Sequence, residues 1–447
     1  MSTPDHPPAA GTGYLRRLTL WDAAMIVIGG IIGAGIFRTP ATIAERTAGS
    51  GQLLALWVVG GLATLAGALC FAELGARRPQ AGGTYIYLRE AWGRLPAFVC
   101  GWTILLIIYP GSVAAVAVTF ADYLCPVLGL GPIYVQPVAV GAIAFIVGIN
   151  LLGVRAGAWV QNIFTLLKLL AIALLVAVGA VLARTQFGLA WAAPAHTAVS
   201  GWTLAGAMLP VMFSFGGFNY LNNLAGEVRE PQRTLPRALG LGMLGVIACY
   251  LLVNLAYLAG LGHAGLAASQ APAADLMGKL LGSRGASVIA LGIACSTFGY
   301  CNIALASGAR VLQAMGADGL FFSAVSKVDA RFHVPQRALL VMGAWSIVLT
   351  VSGSFGQLLN YATVGDWLIY AAGIATLFWY RRHDTDAASY RSPLFPWLPL
   401  AFIAMVFGVV AVTAINTPTD AGMSLVIIAL GVPVYYGWRW LQRRSVG

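Results

Sequence analysis

Long apolar runs that contain few charged residues recur from Trp21 to Trp440 of this 447-residue chain. A bilayer core about 30 Å thick needs about 20 apolar residues per helix, and the sequence supplies such a run about twelve times. Charged residues make up only 9% of the chain, whereas a soluble domain carries about 25%. The sequence therefore predicts an all-α integral membrane protein whose outer surface contacts the lipid bilayer.

The basic residues predict which way the helices run. The predicted spans are 21–47, 52–76, 95–125, 134–152, 158–183, 203–226, 237–262, 284–314, 338–354, 358–380, 396–416 and 421–440. Twenty of the 26 basic residues precede the first span, follow the last one, or occupy the loops on the same side. Because Lys and Arg accumulate in cytoplasmic loops, both termini are predicted to be cytoplasmic and the protein to be multi-pass in the cell (inner) membrane. The net charge of +11 is thus a topology signal, and no nucleic-acid partner is expected.

Glycines cluster inside two of the predicted spans. The first span contains IVIGGIIGAGIF, with Gly33 and Gly35, and the sixth contains MFSFGGFNYLNN, with Gly216, Gly217 and Asn219. Each glycine weakens a helix by about 1 kcal/mol, so these segments are predicted to be unwound. Unpaired backbone groups at that depth are tolerated where they line a cavity. For the first cluster alone, close helix packing explains the glycines equally well.

The two clusters together carry more information than either does alone. They occupy the first and sixth spans, which are equivalent positions in two five-helix halves, and paired broken helices of this kind indicate a binding site near the bilayer midplane. The N-terminal end of a half-helix favours an anionic group, and carbonyls released by the break accept hydrogen bonds from a cation. The pattern therefore predicts a site for a zwitterion such as an α-amino acid.

Two charged residues lie inside predicted spans. Lys168, in QNIFTLLKLL, lies about 15 Å into its helix, where a lysine costs about 3 kcal/mol. It is predicted to couple transport, with its ammonium in the place of a sodium ion, although a structural pairing is the alternative. Asp366, in NYATVGDWLIYAAG, is predicted to line the substrate cavity or to carry a proton, with a structural hydrogen bond as the alternative.

Patterned charges in two loops predict a cytoplasmic gate. The loop after the second span begins at Glu73, and the loop after the sixth carries Glu227 and Arg229. Ion pairs that break on opening would suit a gate, and an ordinary solvated loop is the alternative. The loop between the second and third spans is too long for a tight turn.

Other functional classes find little support in the sequence. The six cysteines lack the paired spacing of metal ligands, so neither a metal nor a cofactor is expected. A membrane-embedded enzyme needs a cluster of catalytic groups, and the five histidines are scattered through tails and loops. A channel needs a ring of charges or a carbonyl filter. A carrier is therefore predicted, rather than an enzyme or a channel.

Several segments, in order along nearly the whole chain, resemble the amino acid–polyamine–organocation superfamily, and most closely its L-type amino acid transporter branch. The segments are GGIIGAGIF (29–37), ELGARRPQAGGTYIYL (73–88), LLIIYPGSVAAVAVTFADYL (105–124), VQNIFTLLKLL (160–170), FGGFNYLNNLAGEVREPQRTLPRAL (215–239), NYATVGDWLIYAAG (360–373) and YRSPLFPWLPL (390–400).

The resemblance implies a leucine-transporter-type fold of two inverted five-helix repeats and two peripheral helices. The predicted divisions are a disordered cytoplasmic tail (1–13), the first repeat (14–200), the second repeat (201–382), and helices 11 and 12 with a cytoplasmic tail (383–447).

The resemblance also implies a set of site residues. Gly33, Ala34 and Gly35 would receive the substrate carboxylate, and Phe213, Ser214 and Gly216 would hold its amine through their carbonyls. Phe213 would also act as an aromatic gate, and Lys168 matches the helix-5 lysine of sodium-independent members. The remaining predicted substrate-binding residues are Ile31, Ile108, Gly217, Asn219 and Asp366.

The sequence departs from the family pattern at two positions. Ala34 stands where many members have serine, and Tyr109 stands where an arginine is frequent. Animal members pair with a heavy chain through an outer-loop cysteine, for which Cys125, predicted near an outer loop, is no convincing equivalent. The resulting prediction is a sodium-independent permease of neutral amino acids without a heavy chain, either an exchanger or a proton-coupled carrier. The rival is a carrier of cationic amino acids or polyamines with Asp366 as the counter-charge.

Overall fold

The computed structural model describes residues 13–190, 199–353, 355–384 and 389–445. The predicted tail, residues 1–13, lies outside these ranges except for Gly13. Seventeen α-helices occupy the described residues: α1 (Leu20–Ile31), α2 (Gly35–Ala44), α3 (Ser50–Arg77), α4 (Thr84–Trp92), α5 (Arg94–Thr103), α6 (Tyr109–Val127), α7 (Val135–Leu151), α8 (Val154–Ala190), α9 (Gly201–Gly206), α10 (Met208–Phe215), α11 (Tyr220–Asn223), α12 (Pro231–Ala267), α13 (Pro272–Ala317), α14 (Gln336–Val351), α15 (Phe355–His383), α16 (Trp397–Asn416) and α17 (Pro418–Ser445).

The described residues contain nine helical segments long and apolar enough to cross a membrane, and ten when α1 and α2 count as one bent span. The span that begins with α5 continues through a π-helical turn, Ile104–Ile108, into α6. The prediction of an all-α multi-pass membrane protein is confirmed. The predicted number of twelve is reached only if two shorter apolar segments, Gly201–Phe215 and Gln336–Val351, also cross.

The centre of the bundle is built from α6 and α13, whose apolar stretches are mostly buried, whereas α7 and α17 expose most of theirs. Side chains such as Phe145 and Trp159 lie on the outside, as expected for helices whose solvent is lipid. The short helices α1, α2 and α11 pack against α13, and α10 packs against α2 and α3, so that both glycine clusters lie within the protein.

Both glycine clusters coincide with interruptions of a helix. We call residues 29–35, from the last turn of α1 to the start of α2, the first break; the axes of these two helices differ by 40°. We call residues 213–219, from the last turn of α10 to the start of α11, the second break. Gly217 has φ of +92°, a conformation that side chains with a Cβ rarely adopt.

The first and last described segments, residues 13–19 and 438–445, meet the loops at residues 224–230 and 318–328 at one end of the bundle, which we call the basic face. The Tyr14 hydroxyl donates to Gln313, and Gln442 donates to the Gly319 carbonyl at 2.5 Å. Leu18 forms an isolated parallel bridge with Val228. The segments before α1 and at the end of α17 therefore lie on the same side as the loops after α11 and α13.

The structure adds one helix to these elements and places two side chains in the interior. The loop between the second and third spans contains a helix, α4, whose Arg89 contacts Asp318 at 2.6 Å. Arg310 lies near the end of the predicted eighth span and was counted with the basic residues that follow it, but it is 1% exposed inside α13. Cys125 lies near the end of α6, next to a loop, but its side chain is only 1% exposed.

Candidate functional site

The two breaks touch each other, and glycine is what allows the contact. A Cβ built on Gly217 would lie 2.4 Å from the Gly30 carbonyl oxygen. A Cβ on Gly35 would lie 2.7 Å from the Ser214 hydroxyl oxygen, and that hydroxyl also lies 2.9 Å from the Thr39 hydroxyl. The backbones of α1, α2 and α10 thus meet more closely than any larger residue would permit.

Side chains of neighbouring helices satisfy the carbonyls released at the end of α1. The Lys168 ammonium is fully buried and donates to the carbonyls of Gly29 (3.1 Å) and Ile32 (2.6 Å), as well as to that of Ser296 (3.0 Å). The Ser296 hydroxyl donates to the Gly33 carbonyl at 3.0 Å. Lys168, on α8, therefore joins the first break to α13 and uses all three of its donors.

The last three N–H groups of the first break, unlike its carbonyls, are unpaired in the described residues. Within the described residues, the backbone N–H groups of Gly33, Ala34 and Gly35 donate no hydrogen bond. These groups lead into the N-terminus of α2, where the first N–H groups lack partners inside the helix and the helix dipole is positive. All three residues are buried. The first break therefore presents unpaired donors in the protein interior, which is a suitable place for a carboxylate.

The carbonyls of the second break are only partly engaged. The Phe213 carbonyl accepts from the Gly216 N–H at 3.2 Å, and the Ser214 carbonyl accepts from the Tyr250 hydroxyl at 2.8 Å. The Phe215 and Gly216 carbonyls accept no hydrogen bond among the described residues. Acceptors for an ammonium therefore lie beside the donors of the first break, although two of the predicted carbonyls already have a donor.

Asp366 lies in α15 and is linked to the second break through a tyrosine. The Tyr370 hydroxyl donates to the Asp366 carboxylate and accepts from the Gly217 N–H at 3.2 Å. Asp366 is 8% exposed. It forms no ion pair within the described part of the chain.

The remaining predicted site residues surround the breaks. Ile31 offers its carbonyl to the Tyr250 hydroxyl at 3.3 Å. Ile108 is buried in the π-helical turn and packs near Gly365 of α15. Asn219 is buried, and its side-chain oxygen accepts no hydrogen bond among the described residues.

Phe213 lines a cavity that opens at the face opposite the basic face. The cavity has a volume of about 510 Å³. Other lining residues are Arg46, Trp202, Thr363 and Asp420. The aromatic ring predicted to be a gate therefore lies at the boundary between this cavity and the backbone of α10.

The residues predicted to form one cytoplasmic gate belong to two separate networks. Glu73 is fully buried and contacts Arg77 at 2.8 Å and Arg381 at 2.6 Å. It also accepts from the Ser392 N–H at 2.8 Å. This network ties the end of α3 to the end of α15 and to the segment before α16.

Glu227 belongs to the second network, at the entry to α1. It pairs with Arg310 of α13 at 2.7 Å, and both side chains are nearly inaccessible. The Glu227 carbonyl accepts from the N–H groups of Arg17 (2.8 Å) and Leu18 (2.9 Å). Arg229 contributes its backbone N–H to the Leu18 carbonyl at 2.9 Å, and no ion pair involves its guanidinium in the described residues.

Burial raises the pKa of the Tyr14 phenol beside this network, so it stays a neutral hydrogen-bond donor to Gln313. The N-terminal segment, the loop after α11 and α13 are therefore held together by hydrogen bonds and one buried ion pair.

Several residues of the site were missed from the sequence. Tyr250 contacts carbonyls at both breaks, Ser296 contacts the first, and Tyr370 connects Asp366 with the second. Each is a polar side chain on a long apolar helix, where polar groups are often functional, but other polar residues on the same helices give the same signal. Among the described residues, no group of three or more His, Cys, Asp or Glu side chains could hold a metal ion.

The comparisons with known proteins show the family of the chain. The chain matches the amino acid permease family over residues 18–433. It is 31% identical to the b(0,+)-type amino acid transporter 1 of Mus musculus, over 97% of this chain and 91% of that protein. It is 30% identical to the serine/threonine exchanger SteT of Bacillus subtilis (strain 168), over 96% of this chain and 98% of that protein. It is also similar, at 31% identity over 98% of this chain and 84% of the relative, to the large neutral amino acids transporter small subunit 2 of Homo sapiens.

A match of this extent covers the breaks, Lys168 and Asp366 together. The chain belongs to the amino acid permease family, a family of transporters rather than enzymes. The predicted family is confirmed.

Proposed function

We propose that the chain is a sodium-independent carrier of neutral amino acids that works by alternating access. The observation that supports the proposal is the difference between the carbonyls and the N–H groups of the first break. Its carbonyls are engaged by Lys168 and Ser296, while the N–H groups of Gly33, Ala34 and Gly35 donate to nothing in the described residues. This arrangement leaves a place for a substrate carboxylate.

The amine of the substrate would face the second break. The Phe215 and Gly216 carbonyls have no donor among the described residues, and a protonated amine would satisfy them. Donors for a carboxylate and acceptors for an amine on adjacent breaks match the zwitterion common to all α-amino acids, and they recognise it with backbone groups alone. Selectivity for the side chain would then fall to residues around the breaks, including Ile108, Phe213 and Asn219.

The position of Lys168 supports independence from sodium. Its ammonium supplies a fixed cation between the first break and α13, which is the role a bound sodium ion would otherwise fill. The two breaks are proposed to be the broken helices of two inverted five-helix repeats, residues 14–200 and 201–382. Segments 383–447 would add the two peripheral helices.

The basic residues support an orientation in which the basic face and both termini are cytoplasmic. The protein would then lie in the cell (inner) membrane. In that orientation the cavity at Phe213 opens outward, and Glu73, Glu227 and Arg229 lie on the cytoplasmic side. The two ionic networks would then release when the carrier opens inward. We expect no heavy-chain partner, because Cys125 is buried within α6.

Competition for uptake tests the substrate class. Labelled alanine uptake into proteoliposomes should be reduced strongly by leucine, and weakly by alanine methyl ester, which keeps the amine and lacks the carboxylate. Arginine and putrescine should compete poorly. Strong competition by putrescine would instead support the rival, a carrier of cationic amino acids or polyamines with Asp366 as the counter-charge.

A further inference from the structure

Asp366 is a buried carboxylate inside the bundle. It lies about 16 Å along α15 from the first residue of that helix and is 8% exposed. Its one hydrogen-bond donor among the described residues is the Tyr370 hydroxyl. The titratable groups that face it from its own helix and from α5, α6, α11 and α13 are Tyr370, Cys100, Tyr109, Tyr220 and Tyr300.

No cation is found among the described groups that face this carboxylate. From α3, α4 and α16, the side chains of Phe71, Thr84 and Phe402 pack against the same length of α15, and none of them titrates. The charged residues of α3 lie at the basic face, where Glu73 contacts Arg381. Lys168 gives its three hydrogen bonds to backbone carbonyls, none of which belongs to α15.

A buried carboxylate without a nearby cation is unfavourable in its charged form. Burial therefore favours the neutral acid at Asp366 in the empty carrier. The carboxylate becomes stable as an anion only when water or a cation reaches it. Such a group takes up a proton from one solution and releases it to the other when its exposure changes.

The protonation state of Asp366 is transmitted to the substrate site. The Tyr370 hydroxyl donates to Asp366 and accepts from the Gly217 N–H at 3.2 Å. Gly217 in turn packs on the Gly30 carbonyl, where an added Cβ would be only 2.4 Å away. Ionisation of Asp366 polarises the Tyr370 hydroxyl and so strengthens its bond with Gly217. Two hydrogen bonds thus connect the carboxylate with the contact between the two breaks.

We infer that Asp366 is the binding site of a proton that is transported together with the amino acid, and that Tyr370 relays its occupancy to the second break. The inference rests on the proposed function. One proton binds to the carboxylate from the outer solution and leaves to the inner solution in the same cycle as one zwitterionic substrate. Each cycle therefore moves one positive charge.

The test uses the full chain in sodium-free proteoliposomes with a pH indicator inside. With the outside one pH unit more acidic, wild type should concentrate alanine up to about tenfold, since one pH unit corresponds to a factor of ten. Addition of alanine should acidify the lumen, with about one proton per alanine. In Asp366→Asn, which keeps an acceptor for Tyr370 but carries no titratable proton, the ratio of protons to alanine should fall to zero, whatever alanine flux remains.

Tyr370→Phe provides a second test, the pH dependence of uptake, that does not depend on the behaviour of Asp366→Asn. Loss of a hydrogen bond to the charged form favours the neutral acid, so the pH of half-maximal uptake should rise by about one unit. Ser424→Ala is a matched control on α17, because its hydroxyl donates to the Tyr361 carbonyl of α15 away from Asp366. Its pH dependence should equal that of wild type.

The outcomes separate the inference from the proposed function. Wild type that exchanges alanine without moving protons would overturn the inference and leave the proposed function intact. Unchanged proton movement in Asp366→Asn, or an unchanged pH midpoint in Tyr370→Phe, would also overturn it. Exchange of arginine that needs Asp366, without proton movement, would overturn it too and assign the carboxylate to a cationic side chain instead. The absence of exchange with any amino acid would refute the proposed function itself.

Discussion

Replacement of Lys168 by alanine should cripple transport while the protein still inserts in the membrane. The ammonium is fully buried and donates hydrogen bonds to the Gly29 and Ile32 carbonyls of the first break and to the Ser296 carbonyl of α13. In Lys168→Ala the Ile32 carbonyl keeps the Ser296 hydroxyl at 3.2 Å, but the Gly29 carbonyl loses its donor. An unsatisfied buried group costs about 1–3 kcal/mol, which corresponds to a loss of transport activity of roughly 5–150-fold.

The assay is initial uptake of alanine into proteoliposomes in sodium and in choline buffer at the same pH. Wild type should transport equally in both buffers. Lys168→Arg should be impaired as well, because a planar guanidinium cannot reproduce the three directions of an ammonium. Lys279→Ala is the matched control, since Lys279 also donates to a helix carbonyl, that of Gly260 at 2.7 Å, but lies outside both breaks. It should transport nearly as wild type does.

Two results would refute this reasoning. A large sodium requirement in wild type would show that Lys168 does not replace a bound sodium ion. Uptake by Lys168→Ala at the wild-type rate would show that the lysine has only a structural role.

Three further predictions concern the breaks, the substrate and the basic face. Gly217→Ala should lower alanine affinity at least tenfold, or about 1.4 kcal/mol, because its Cβ would meet the Gly30 carbonyl at 2.4 Å; Gly245→Ala, where nothing lies within 4 Å, should have no effect in the same binding assay. Simple amines without a carboxylate should fail to displace bound alanine in equilibrium dialysis, and displacement at alanine-like concentrations would contradict the zwitterion site. Glu227→Gln should lower unfolding stability in detergent by about 3–5 kcal/mol, because it leaves Arg310 buried without its partner. Glu230→Gln, which removes an exposed pair, should change stability by less than about 1 kcal/mol, and equal effects of the two variants would contradict the buried pair.

The membrane class and the positions of the breaks could be read from the sequence for physical reasons. Apolar runs of bilayer length are typical of membrane-spanning helices, and glycine clusters such as those at Gly33 and Gly217 weaken helices wherever they occur. Lys168 was identifiable because a charge deep in an apolar helix needs a partner. The structure adds that its partners are carbonyls of the first break and of α13.

Contacts between distant segments could not be read in the same way. Arg310 follows a run of small residues and resembles a loop residue, but its helix continues and carries it into the interior, where it meets Glu227. The loop charges suggested one gate, yet Glu73 and Glu227 are held by different partners. Nothing local to Tyr250 or Tyr370 indicates that each would reach a break from another helix.

The central claim is that this protein carries amino acids by presenting the two breaks alternately to each side of the membrane. Counterflow tests it most directly. Sodium-free proteoliposomes loaded with unlabelled alanine are diluted into a trace of labelled alanine. The account predicts a transient accumulation of label inside above its outside concentration, abolished in Gly35→Leu, whose side chain would collide with Ser214. Label that only equilibrates without an overshoot in wild type, or an overshoot that persists in Gly35→Leu, would contradict it.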